Sequence, residues 1–241
     1  MEQQSMFNRK YLAFDIETAK ILPEDFGELL AHRPLGICCA ATWASQEESA
    51  QLFYSRELDG TPSSQMTQHD LSAFVDYLRT QTENGYNIVT LNGLGFDFDI
   101  LAEESNRWED CRHLARTHID ILFHIFCEKG FGVGLNAAGK ALGLSKPEDI
   151  DGSVAPQLWK DGKFQQVLDY VAQDCNLTLQ IAEHSEMNKV FQWITRKGSK
   201  ASVPLPTGWQ SVDEAMTRPL PDTSWMDKPW PRSKFTGWLN S

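Results

Sequence analysis

The stretch Tyr11-Leu12-Ala13-Phe14-Asp15-Ile16-Glu17-Thr18 constrains this chain more than any other. It is an apolar run that carries two carboxylates, two residues apart, in its second half. Side chains alternate along a strand, so Asp15 and Glu17 leave one face while Phe14 and Ile16 leave the other. Two ionised carboxylates held close together raise each other's pKa, and desolvation adds to the cost. A hard divalent cation such as Mg2+ or Mn2+ removes the conflict, because it prefers carboxylate oxygen to nitrogen or sulfur. The plainer reading is an edge strand with solvated acids on its outer face. A lone Asp-x-Glu does not decide between the two, so the decision falls to the rest of the chain.

The 241 residues suffice for one large domain, or one domain with an appendage, around a sizeable core. No apolar run approaches the roughly 20 residues of a membrane helix. Met1-Glu2-Gln3-Gln4-Ser5 lacks the basic and apolar regions of a signal peptide, so a cytoplasmic protein is expected. The five cysteines, Cys38, Cys39, Cys111, Cys127 and Cys175, form no CxxC pair and read as reduced core thiols. A formal net charge of -11 argues against a protein that simply coats phosphates, since that affinity comes from Lys and Arg. It leaves room for an enzyme that holds nucleic acid at a metal centre, where the ions supply local positive charge.

In chain order, the runs Leu35 to Ala44 and Gln51 to Ser55 join the first strand in an expected antiparallel meander. Thr67 and Asp70 open a helix with Leu71, Phe74, Val75 and Leu78 at helical spacing, and Asn84-Gly85 ends it. Asn87 to Leu91 is a short apolar strand suited to a buried place in the sheet. It leaves through Asn92-Gly93-Leu94-Gly95-Phe96-Asp97 and enters a helix, the kind of turn where open α/β folds build sites. Asp97 and Asp99 also read as acids that complement a helix N-terminus. Asp120 reads as a cap. A helix over Lys163 to Ser185 carries Tyr170 and Asp174 four residues apart on its flank, so both address one point in space. Val203 to Ser241 holds six prolines and four tryptophans. Such a tail is expected to dock in extended form through its tryptophans, with base stacking as the alternative.

The three motifs Phe14-Asp15-Ile16-Glu17-Thr18, Asn92-Gly93-Leu94-Gly95-Phe96-Asp97 and Tyr170-Val171-Ala172-Gln173-Asp174 stand in this order. Together they resemble the DEDD 3'-5' exonucleases of the ribonuclease H-like superfamily, in the subclass with Tyr in the third motif. The middle motif looks most like the Asn-Gly-x-x-Phe-Asp of the proofreading domain of family B DNA polymerases. The resemblance implies an α/β ribonuclease H-like fold: a central mixed sheet, an antiparallel three-strand meander plus parallel strands, flanked by helices. Residues 1–190 would form it, with 191–241 a Pro/Trp-rich extension packed on the domain. It implies two divalent ions, Mg2+ or Mn2+, bridged by Asp15. Glu17 and Asp174 would complete one shell and Asp97 would hold the second ion. Such a pair activates a water and stabilises the leaving 3'-oxygen, and it releases a nucleoside 5'-monophosphate from a single-stranded DNA or RNA 3' end. Tyr170 would orient the water or the phosphate, because an ordinary phenol with pKa about 10 is a poor base at neutral pH. Thr18, Asn92 and Phe96 are the expected contacts to the terminal nucleotide. Asp99 falls where the polymerase pattern often has proline. The remaining chain leaves no room for a polymerase palm and fingers. A binding protein of the same fold with weak catalysis, or a phosphodiesterase of short oligonucleotides, are the alternatives.

Overall fold

The structure is a computed structural model and describes residues 9–23, 25, 27–144 and 152–240. Met1 to Ser5 and Ser241, which entered the sequence readings, lie outside them. Strand β1 (Lys10–Thr18) pairs antiparallel with β2 (Ile37–Ala44), and β2 pairs antiparallel with β3 (Gln51–Phe53). On its other side β1 runs parallel to β4 (Tyr86–Thr90), and β4 runs parallel to the two-residue β5 (Ile119–Asp120). The order is β3-β2-β1-β4-β5, so the acid-bearing strand is central and not an edge. This is the expected mixed sheet, with its meander and its parallel strands.

Helices cover both faces, and the alternation of β1 sorts the two cores. Leu12, Phe14 and Ile16 point into the core built with α1 (Gln68–Glu83), α2 (Asp97–Ser105) and α3 (Trp108–Thr117). Phe14 meets Phe74 and Phe98 at ring distances of 5.5 and 5.1 Å. Each such buried ring contributes roughly 1.5–3 kcal/mol. Tyr11 and Ala13 point the other way, towards α4 (Ile121–Lys129), α5 (Leu135–Ala141), α6 (Ala155–Lys160) and the long α7 (Phe164–Asn188). Local chemistry places these helices. Thr67 accepts the Asp70 amide at 3.1 Å to open α1, and Asp120 accepts the Phe123 amide at 2.9 Å to open α4. Val167, Val171 and Cys175 line the buried stripe of α7.

The C-terminal part takes more regular structure than an extended tail. Val190–Ile194 (β6) and Lys200–Pro204 (β7) form a hairpin, with Gly198 at φ +79° in its turn. That conformation costs a side-chain-bearing residue more than it costs glycine. Phe191 and Trp193 share the inward face with Val203. Two short helices follow, α8 (Val212–Met216) and α9 (Ser233–Thr236). Trp209 and Trp238 are buried, whereas Trp225 and Trp230 are 65% and 42% exposed. Among the described residues, no helix is long and apolar enough to cross a membrane.

Candidate active site

Because β1 and β4 are parallel, the carboxyl end of β1 and the turn after β4 open at the same edge of the sheet. Asp15 and Glu17 project from that end of β1, opposite in direction to Phe14 and Ile16, towards the layer that holds α7. Glu17 stands across from Cys39, and the pairing then slips so that Thr18 faces Ile37. Cys38 is the extra residue of this bulge. Bulges re-aim the side chains beside them, and this one lies at the second acid.

The turn after β4 is held by its own amides. Asn92 adopts φ +78°, a conformation Asn tolerates better than most residues. Its N–H donates to Asp120 Oδ1 at 3.1 Å, the Gly93 N–H to Thr90 Oγ1 at 3.0 Å, and the Leu94 N–H to Asp120 Oδ2 at 2.9 Å. Gly93 is required by space: a Cβ there would lie 2.4 Å from Thr90 Oγ1. The turn delivers Asp97 as the first residue of α2, and its Oδ1 accepts the Ile16 N–H at 3.2 Å. The Asp15 carboxyl is the neighbour of Asp97 and can share a hydrogen bond with it only when one of the two is protonated. Burial pushes the Asp97 carboxyl up to about 7, against the pull of the Ile16 amide and Asp15. Burial likewise pushes Asp120 up to about 6, opposed by the backbone amides it gathers, those of Phe123, Leu94 and Asn92 first.

Asp174 comes from α7 and lines, with Asp15, Glu17, Thr18 and Phe96, a cavity of about 600 Å3. Tyr170 lies one helical turn before it. A methyl group built on Gly152 would sit 3.7 Å from the Tyr170 hydroxyl and 3.9 Å from Glu17 Oε2, so the two polar ends converge on one point of the cavity wall. The neighbouring thiol registers the convergence. Cys175 is pushed well above the ordinary thiol range by burial first, and then by the charges of Asp15, Asp174, Asp97 and Glu17. Its Sγ–H donates to Ala41 O at 3.2 Å, which makes it a core group.

The structure thus gathers Asp15, Glu17, Asp97, Tyr170 and Asp174, and it sets Thr18 and Phe96 at the cavity. Asn92 is not among the residues that line it, and Asp97 and Tyr170 stand behind its wall. Asp99 is turned away into an ion pair with Arg33. Gly152, Ser153 and Gln157 line the cavity without having been singled out by the sequence, which carries no local signal for them. Ile21 and Val154, each 42% exposed, give the cavity an apolar lip. Among the described residues, no group of three or more His, Cys, Asp or Glu is drawn tightly enough to form a ready-made metal centre. The donor chemistry nonetheless suits a hard cation. Three carboxylates line one cavity, a fourth neighbours the first, and among the described residues no imidazole or thiol lines it.

A family model for the RNase H superfamily matches residues 47–186, more than half of the chain. The chain belongs to the RNase H superfamily. The matched span holds Asp97, Tyr170 and Asp174 and begins after β1. Among solved structures, this RNase H superfamily member is similar to the family B DNA polymerase from the hyperthermophilic archaeon Pyrobaculum calidifontis, at 20% identity and a TM-score of 0.52. The likeness covers 73% of this chain and 24% of the polymerase, so the chain spans about a quarter of that protein. No curated protein matches it in sequence. The superfamily's α/β fold is the one described above, a mixed sheet flanked by helices.

Proposed function

We propose that this protein is a metal-dependent 3'-5' exonuclease that releases nucleoside 5'-monophosphates from single-stranded DNA or RNA. The observation that carries the reading is the convergence of acids from β1 and α7 on one cavity at the carboxyl edge of the sheet, with Asp97, delivered by the turn after β4, held against the same strand at Ile16. Asp15, Glu17, Asp97 and Asp174 would hold two Mg2+ or Mn2+ ions. When bound, such ions lower the pKa of an attacking water and stabilise the leaving oxygen. The chain's own residues do the rest. Thr18 and Phe96 seat the terminal nucleotide, and the apolar lip of Ile21 and Val154 receives its base. The Tyr170 hydroxyl, directed to the same wall as Glu17, orients the water or the phosphate. Residues 1–190 would carry this chemistry, with 191–241 packed on them as an extension.

The test incubates purified protein with 5'-labelled single-stranded DNA and RNA of one sequence, with Mn2+, Mg2+ or EDTA, beside Asp15→Ala. A ladder that shrinks from the 3' end, needs metal and is absent in the variant supports the reading. Metal-dependent binding with no ladder would favour a catalytically weak binding protein. A second reading, phosphodiesterase action on short oligonucleotides, draws on charge. Lys20 is the one Lys or Arg among the described residues that line the cavity, and its Nζ is taken by His32 O and Pro34 O, at 2.5 and 3.3 Å. Turnover that rises as the strand shortens to two or three nucleotides would select it.

A further inference from the structure

The turn that carries Asp97 is gripped from two directions. Thr90 and Asp120 hold its amides from the sheet side. The other grip comes from the far end of the sequence. The Trp238 Nε1–H donates to Leu94 O at 2.7 Å, in a buried bond between residues 144 positions apart. Phe235 backs the next residue so closely that a Cβ on Gly95 would lie 3.0 Å from its ring. Phe235 is itself anchored on α4, 5.5 Å from Phe123 and 4.9 Å from Phe126. Arg232 fastens the approach to this segment by donating to Met216 O at 3.0 Å and Arg218 O at 3.1 Å. Leu94 therefore has its N–H tied to Asp120 and its C=O tied to Trp238. A rotation of the following peptide would be passed along Gly95 and Phe96 to Asp97.

We propose that Trp238 is a positioning residue of the active site: through Leu94 it holds the turn in the conformation that sets Asp97 against Ile16 and Asp15. The proposal rests on the nuclease reading of the acid cluster and adds the role of the C-terminal segment. Small displacements of a catalytic group, even those that arise away from the chemistry, are costly: about 1 Å costs up to about a hundredfold in rate. A merely structural tryptophan would act otherwise, lowering the folded fraction and leaving turnover per folded molecule intact.

The experiment compares wild type with Trp238→Phe, and with a semisynthetic protein in which a benzothienyl side chain replaces the indole and removes the N–H at nearly constant volume. Three quantities are read: kcat and KM on a single-stranded oligonucleotide with Mn2+, the melting temperature, and amide exchange of the metal-free protein. The expected result is a kcat lowered about tenfold or more, with KM within about twofold. The melting temperature falls by only the few degrees that an unpaired Leu94 carbonyl costs, and exchange is faster over residues 91–97 but not in α1 or β2. Unchanged kcat and unchanged exchange in the turn overturn the proposal, as does a loss of activity matched by faster exchange throughout the protein. If Trp238→Phe fails to fold, the benzothienyl protein decides on the same criteria. An inactive wild type overturns the nuclease reading. Exchange then decides whether Trp238 pins the turn, faster exchange over 91–97 supporting the pin and unchanged exchange overturning both.

Discussion

Asp15 sits where the interactions of the cluster meet. It neighbours Asp97, shares the cavity with Glu17 and Asp174, and its charge reaches the thiols of Cys39 and Cys175. Asp15→Ala removes the carboxylate that both proposed ions would share, and turnover of a labelled strand should fall by more than about a hundredfold. The same change relieves like-charge crowding, so the melting temperature is expected to hold or rise. A marked drop would show the acid to be structural. Tyr170→Phe loses one hydroxyl and no carboxylate. Its turnover should fall by about ten- to a hundredfold, less than for Asp15→Ala. Equal losses in the two variants would mean that the hydroxyl does more than orient.

At the scale of elements, one part of the pH dependence comes from two buried histidines, His118 at the end of α3 and His124 in α4. The His118 Nδ1–H donates to Ala115 O at 2.8 Å, which leaves Nε2 to accept from the Thr90 hydroxyl at 3.0 Å, and so ties β4 to α3. His124 Nδ1 accepts the Gln210 amide at 3.3 Å, and its ring stands edge-on to Trp209. Burial pushes both imidazoles down to about 4. Their folded pKa lies below the unfolded value of about 6.5, so their contribution is intact above that pH and is lost as pH falls towards 4. The buried carboxyls of Asp97 and Asp120 act in the opposite sense over an overlapping range. His124→Phe should therefore gain on wild type by about 2 kcal/mol between pH 7 and pH 5, read from urea unfolding midpoints. A gap that does not change with pH would remove the histidine from this account.

The same elements show where the sequence is transparent. Asp15 with Glu17, Thr67 with Asp70, and Tyr170 with Asp174 are local pairs, and strand alternation, cap chemistry and helical spacing make each of them readable. The second task of Asp120 was hidden: capping α4 is a relation between near neighbours, but gathering the amides of Asn92 and Leu94 is a contact across a fold. The cavity wall at Gly152 and the bond from Trp238 to Leu94 were hidden for the same reason. The hairpin carries a local signal too, in the alternation of Val190 to Ile194 and the glycine at 198, though no strand was expected there.

Across the whole molecule, the segment after α7 straps both layers. Trp209 packs on Phe191 and His124 in one layer and donates its Nε1–H to Ala182 O at 3.0 Å, while Phe235 and Trp238 lie in the other. Trp209→Ala should cost about 3–5 kcal/mol, as large buried side chains do. Trp225→Ala, at an exposed ring, should stay within about 0.5 kcal/mol, and denaturant unfolding of the two variants distinguishes strap from surface. The bond from Trp238 to Leu94 also bears on the order of events at the ribosome. Chains are made from the N-terminus, and folding begins on the part already synthesised. All four acids emerge before Trp238, so a growing chain carries its full set of carboxylates while the turn beneath Asp97 is still unpinned. If Trp238 positions Asp97 as proposed, the last adjustment of the site waits on the last few residues made, and a chain cut short before residue 238 keeps its acids but loses the bond to Leu94.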